Sequence, residues 1–190
     1  MKICTKEEII THAGFFDAVM QGAIVVYPTD TIYGIGCNAL NNDAITQIRK
    51  LKDRTTPFSV IAPSKAWIRQ HCIVPPKDEE WLDKLPGPYT LVLPVKNTSC
   101  VAPAAYGNAA SNTLGVRMLQ HWMQEIIAEL GMPFITTSVN KSGKEPMTCL
   151  EDIDKFIRAN VDIIIDDGQK QGNPSTVVHL DKENVQVVKR

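Results

Sequence analysis

Arg49, Lys50, Lys52 and Arg54 fall within six residues of one another in the stretch IRKLKDRTTPF (residues 48–58). Favourable charge near a helix C-terminus, with solvated side chains, accounts for Arg49 and Lys50. It fits Lys52 and Arg54 less well, because KDR runs past the expected helix end into a loop leading to an apolar strand. Two cations beside hydroxyl-rich loops could cradle a triphosphate, the arginine clamping oxygens in pairs and the lysine acting as a point charge.

Three polar islands supply such loops. PTDTIYGIG (residues 28–36) follows an apolar strand, the position where α/β folds hold ligands. A tight turn of self-bonded Thr and Asp would look the same, and its glycines do not complete a dinucleotide fingerprint. TTSVNKSGKEP (residues 136–146) offers hydroxyls, amides and exposed backbone N–H groups suited to oxyanions. DDGQKQGNPSTVV (residues 166–178) ends another strand and puts Ser175 and Thr176 at the head of the next. Each could equally be an ordinary polar loop.

The whole chain sets the bounds. It has 190 residues, 44% of them hydrophobic and 22% charged, which is ordinary globular composition. A formal net charge of -1 argues against a polyanion binder as a whole, so any phosphate or nucleic-acid contact must come from a local patch. The five cysteines (Cys4, Cys37, Cys72, Cys100, Cys149) are odd in number and never spaced C-x-x-C, which suits reduced core thiols rather than disulfides or zinc. His12, His71, His121 and His179 are dispersed and match no ligand pattern. No protein-bound metal is expected. No apolar run approaches the roughly 18 to 20 residues of a membrane span, so no membrane contact is expected and the cytoplasm is the default compartment.

These stretches must be positioned by alternating helices and strands. Thr5 and Glu8 predict a capping box for a helix over about residues 6 to 20, with Gly22 placed to end it. AIVVYP (residues 23–28) reads as a buried strand. Asn41 or Asn42 caps a helix over DAITQIRKLK whose apolar stripe is Ala44, Ile45, Ile48 and Leu51. FSVIAP, YTLVLPV, TLGVRM, PFITTSV and VDIIIDDG are further strands, interleaved with helices in SKAWIRQHC, PKDEEWLDKL, HWMQEIIAEL and CLEDIDKFIRAN. STVVHLDKENVQVVKR reads as a hairpin turning at Asp181 to Asn184. The sum is one α/β domain with a mixed sheet over residues 1–190.

Taken together, YPTDTIYGIG, the K-x-R at Lys52 and Arg54, the S-x-N at Ser138 and Asn140 and the late STVV resemble the YrdC/Sua5 family of threonylcarbamoyl-AMP synthases. The likeness runs in order from about Gly22 to Arg190, and four motifs in one order are far more specific than any one. It implies the short, single-domain form, a twisted mixed-sheet α/β sandwich around a large positively charged cavity. The implied reaction converts ATP, L-threonine and bicarbonate to threonylcarbamoyl adenylate and pyrophosphate. That product feeds N6-threonylcarbamoyladenosine formation in tRNA through a separate transferase, and Mg2+ arrives with ATP.

The resemblance also implies roles. Lys52 and Arg54 would hold phosphates in catalysis, with Ser138 and Asn140 bonding the nucleotide from the other side. Thr113 and Pro146 fall where the family contacts the nucleotide, and Arg190 aligns with a late nucleotide-binding arginine. Arg117 matches a strand arginine suited to the threonine carboxylate, since an arginine inside an apolar strand is costly unless paired. Thr31, Thr136 and Ser175 match amino-acid contacts. The loop after Arg54 is shorter than in many members, and Ile61 stands about where they carry a histidine. Two alternatives are a YciO-like nucleotide-binding paralogue and a module gripping double-stranded RNA or tRNA by shape.

Overall fold

The computed structural model describes residues 1–11, 14–107, 112–140 and 146–189. In chain order its elements begin with β1 (Lys2–Cys4), α1 (Lys6–Thr11), α2 (Gly14–Met20), β2 (Val25–Tyr27), β3 (Gly34–Gly36) and α3 (Asn42–Lys52). There follow β4 (Ser59–Ile61), α4 (Lys65–His71), α5 (Glu79–Asp83), β5 (Tyr89–Pro94), β6 (Thr113–Arg117) and α6 (Met123–Leu130). The last are β7 (Phe134–Ser138), α7 (Lys155–Ala159), β8 (Ile163–Ile165), β9 (Thr176–His179) and β10 (Gln186–Val188). The strands form a twisted mixed sheet in the order β1-β8-β2-β3-β7-β4-β6-β5-β9-β10.

Local signals explain much of this. Thr5 and Glu8 form the capping box, with Thr5 N donating to Glu8 Oε2 at 2.8 Å and Glu8 N to Thr5 Oγ1 at 3.4 Å. The helix expected over about residues 6 to 20 is described as α1 and α2, on either side of residues 12–13, which lie outside the described residues. Asn41 is the cap of α3, its Oδ1 accepting from Ala44 N at 3.0 Å. Asp53, with φ 48°, ends that helix, so Lys52 is its last residue and Arg54 belongs to the loop.

Two strands were not expected. β1 pairs with β8 at one edge. β3 is only Gly-Ile-Gly, a strand because β2 and β7 pair it on both sides. A Cβ on Gly36 would lie 1.8 Å from the Ile135 carbonyl oxygen, so only glycine allows β7 to come this close.

Directly paired residues share a face, so the register sorts the sheet. One face carries Val26, Ile35, Ile135, Val60, Val116 and Leu91, packed under α3, α4, α5 and α7 in the larger core. The other face is divided. At one end Val25, Tyr27, Phe134 and Ile61 pack beneath α1, α2 and α6. Further along, the same face turns polar with Ser138, Thr136, Ser59, Gly115 and Arg117, and the residues over that ground belong to loops.

Candidate functional site

That polar ground floors a cavity of about 420 Å³ whose lining, among the described residues, comes from strands and loops. Among the described residues Arg54 and Arg117 line it, and no carboxylate does. From the 28–36 island come Thr29, Thr31, Ile32, Tyr33 and Gly34; from the 136–146 island, Thr136, Thr137, Ser138, Asn140 and Pro146. Pro174 and Ser175 close it from the third island, and Ser59 and Thr90 rise from β4 and β5. Thus Thr31, Arg54, Arg117, Thr136, Ser138, Asn140, Pro146 and Ser175, distant in sequence, share one cavity.

The hydroxyls are already ordered. Thr29 Oγ1 donates to Ile32 O at 2.7 Å and accepts from Thr31 N at 3.0 Å, with Thr31 Oγ1 2.9 Å away. Ser175 Oγ and Thr90 Oγ1 are 2.8 Å apart. Such fixed hydroxyls meet a ligand without the entropy cost of ordering.

Arg117 ends β6 with 6% exposure. Its Nη2 donates to Asp30 Oδ1 at 2.7 Å, while Nε is buried with no hydrogen-bond partner among the described residues. A buried guanidinium with an unsatisfied N–H in a cavity wall is primed for an anionic ligand. Asp30 belongs to the first polar island but had no assigned role; its other oxygen accepts from Gln120 N at 3.3 Å.

The four opening cations separate by role. Lys50 is exposed. Arg49 builds the loop, its guanidinium donating to Arg54 O and Thr56 O at 2.9 Å each and to Ala104 O at 2.6 Å. Arg54 reaches the cavity with its Nη1 3.0 Å from Thr137 Oγ1 and its Nη2 donating to Pro57 O at 2.8 Å. Both guanidiniums lie over Phe58, at 4.5 and 5.2 Å from the ring centre.

Lys52 lies behind the cavity wall. It is 3% exposed, and Nζ donates to Ser138 O at 2.5 Å, Asn140 O at 2.7 Å and Asn140 Oδ1 at 3.0 Å. Ser138 Oγ also donates to Asn140 Oδ1, at 2.6 Å. The K-x-R lysine and the S-x-N turn are therefore one hydrogen-bonded unit. Burial, with the Arg54 charge adding to it, pushes the Lys52 pKa from its ordinary 10.5 down to about 7.

Thr113 begins β6 on the same face as Gly115 and Arg117 but is not part of the cavity lining. Arg190 lies outside the described residues. Ile61 packs in the smaller core with Phe134, away from the lining. Ser59, Thr90 and Asp30 escaped sequence reasoning; the available signal for Ser59 and Thr90 was a lone Ser or Thr near the start of the otherwise apolar strands FSVIAP and YTLVLPV. The cysteines are unpaired thiols, buried except for Cys149, which is partly buried. Among the described residues no group of three or more His, Cys, Asp or Glu could hold a metal ion, and no helix is long and apolar enough to cross a membrane.

Comparison with known proteins gives concordant matches. The Sua5/YciO/YrdC family model, described as telomere recombination, matches residues 17–190. A Methanocaldococcus jannaschii protein provisionally named threonylcarbamoyl-AMP synthase is 35% identical over 88% of this chain and 79% of its own. A Hydrogenovibrio crunogenus threonylcarbamoyl-AMP synthase is 30% identical over 70% of this chain and 74% of its own. The crystal structure of P. abyssi Sua5 complexed with L-threonine superposes with a TM-score of 0.84 and 30% identity over 98% of this chain. It covers 56% of the P. abyssi chain, so the present chain spans little more than half the length of that relative. E. coli YciO shares the fold, with a TM-score of 0.85 at 23% identity over 100% of this chain and 94% of its own.

Proposed function

This chain belongs to the Sua5/YciO/YrdC family, and on that premise we propose that it is an L-threonylcarbamoyladenylate synthase. The observation that carries this reading is the convergence of Arg54, Ser138 and Asn140 with Thr31, Thr136, Ser175 and Arg117 around one cavity. One set suits a triphosphate and the other a zwitterionic amino acid with a hydroxyl.

The chemistry asks for no protein nucleophile. Bicarbonate and the threonine amine condense to an N-carboxylate with loss of water. One of its oxygens attacks the α-phosphorus of ATP, the bond to the bridging oxygen breaks, and pyrophosphate leaves with the electron pair. Two anions must be brought together and charge on the leaving group dispersed, so positioning and electrostatics supply the rate. Magnesium would enter with the triphosphate and offset part of its charge.

In this scheme Arg54 faces the phosphates from one side and Ser138 and Asn140 from the other. Lys52 adds charge from behind the wall and holds the Ser138–Asn140 turn. The guanidinium of Arg117, steadied by Asp30, takes the threonine carboxylate; Thr31, Thr136 and Ser175 take its hydroxyl and amine. Thr113, Pro146 and Arg190 are assigned to the nucleotide end on family likeness alone. Residues 1–190 are read as one domain and the small soluble substrates suit the cytoplasm. A separate transferase would carry the product's threonylcarbamoyl group to tRNA.

The test is mass-spectrometric detection of threonylcarbamoyl adenylate, with pyrophosphate release, from ATP, Mg2+, bicarbonate and L-threonine. Reactions lacking threonine or bicarbonate should give neither. ATP binding without adduct would move the protein to the YciO-like alternative. RNA affinity that falls steeply with salt, without ATP turnover, would instead mark an RNA module.

A further inference from the structure

The segment between β8 and β9, residues 166–175, runs without regular structure across the amino-acid end of the cavity. At its near end Asp167 is the centre of a knot. Trp122 Nε1 donates to Asp167 Oδ1 at 3.1 Å, His121 Nε2 lies 3.2 Å from Oδ2, and Lys170 Nζ pairs with Oδ2. The backbone joins in: Asp167 N donates to Tyr33 Oη at 3.0 Å, and Tyr33 Oη donates to Gly168 O at 2.7 Å.

In the middle, Gly172 presses on the first polar island so closely that a Cβ there would lie 2.4 Å from Thr31 O and 2.7 Å from Thr31 Cα. The far end delivers Pro174 and Ser175 into the cavity wall, with Ser175 Oγ against Thr90 Oγ1 at 2.8 Å. His121 and Trp122 lie just beyond Gln120, whose N–H holds Asp30, the partner of Arg117. One short stretch, residues 117–122, therefore carries both the cavity arginine and the anchor of the strap.

We infer that Asp167 is a positioning residue for amino-acid recognition: tied to Trp122, His121 and Lys170, it fixes the strap so that Gly172 buttresses Thr31 and Ser175 faces the cavity. The inference rests on the synthase reading, in which Thr31, Ser175 and Arg117 hold the amino acid. Asp167 touches no substrate. Burial works against its ionisation, but hydrogen bonds from Lys170 and Trp122 outweigh that and hold the carboxyl below its ordinary range, so the knot keeps its charge at neutral pH. The phosphate-facing groups Arg54, Ser138 and Asn140 make none of these contacts, and the strap reaches their turn only indirectly, through the Tyr33 carbonyl that accepts from Val139 N at 3.2 Å, so the larger effect falls on the amino acid.

The test is steady-state pyrophosphate release by the whole chain, titrating L-threonine at saturating ATP and ATP at saturating L-threonine. Asp167→Ala is expected to raise KM for threonine by about tenfold or more, with KM for ATP changed less than about twofold. Asp167→Asn, which can still accept from Trp122, should fall between Asp167→Ala and the wild type. Gly172→Ala, which pushes the strap off Thr31 without touching the knot, should reproduce the threonine-selective loss and keeps the test open if Asp167→Ala does not fold. Wild-type protein that forms no adduct sinks the synthase reading and this inference with it. Wild-type protein that forms adduct, with threonine KM unchanged in Gly172→Ala and in whichever Asp167 variants fold, or with both KM values raised alike, overturns the inference alone.

Discussion

Arg117 Nη2 and Asp30 Oδ1 lie 2.7 Å apart, with side-chain exposures of 7% and 9%. Among the described residues each is the other's ion-pair partner. Removing one partner leaves an uncompensated charge, so Asp30→Ala should cost about 3–5 kcal/mol of stability in urea unfolding. Adding Arg117→Met to Asp30→Ala should recover much of that loss. A double variant as unstable as Asp30→Ala would show that the carboxylate acts elsewhere.

Arg117→Ala addresses the same pair from the functional side. It should raise the threonine requirement more than the ATP requirement, read as separate KM values on protein whose thermal unfolding is intact. Equal loss of both would make Arg117 structural.

Arg54→Ala should lower kcat/KM for ATP by at least about 100-fold, the range for loss of one preorganised donor to developing charge. Lys52→Ala should weaken ATP binding and largely abolish product, because it removes a charge and releases the Ser138–Asn140 turn together. An unchanged rate in either variant would take that residue out of the phosphate end.

Lys52 also predicts a pH dependence of stability. Its pKa is about 7 in the fold against an ordinary 10.5, so between those values the unfolded chain binds more protons. Stability contributed at this site therefore rises with pH through that window. The stability of wild type minus that of Lys52→Met, measured in urea at pH 7, 8 and 9, should increase, which cancels the titration of Cys and Tyr common to both proteins. A flat difference would mean that Lys52 stays charged throughout.

Gly36→Ala should be among the most damaging single-methyl changes in the chain. Its Cβ would meet the Ile135 carbonyl at 1.8 Å, and only separation of β3 from β7 relieves the clash. A loss at or above the upper end of the roughly 1–3 kcal/mol typical of overpacking is expected in denaturant unfolding, with the Ser138 end of the cavity displaced.

Local signals were legible wherever neighbours in sequence decide the outcome. The Ala44, Ile45, Ile48 and Leu51 stripe and the KDR run marked α3, its end and the split between Lys52 and Arg54, with the structure choosing Asn41 over Asn42 as the cap. The apolar runs gave β2 and β4 to β9, and the late alternation gave the β9–β10 hairpin. β1 and β3 were missed because three residues carry too little pattern, and Gly-Ile-Gly is a strand only through its two partners.

By itself, then, the sequence determined which residues are chemically able to hold phosphate and amino acid, because side-chain type, helix period and motif order are local properties. Only the tertiary structure decided whom each one meets. Lys52 bonds Ser138 and Asn140 at separations of 86 and 88 residues, and Arg117 meets Asp30 across 87. Such contacts are set by strand order and register, which place Ser138, Ser59, Gly115 and Arg117 on one face. Burial then does what no motif states, making a lysine of the phosphate-binding type also the brace of a turn.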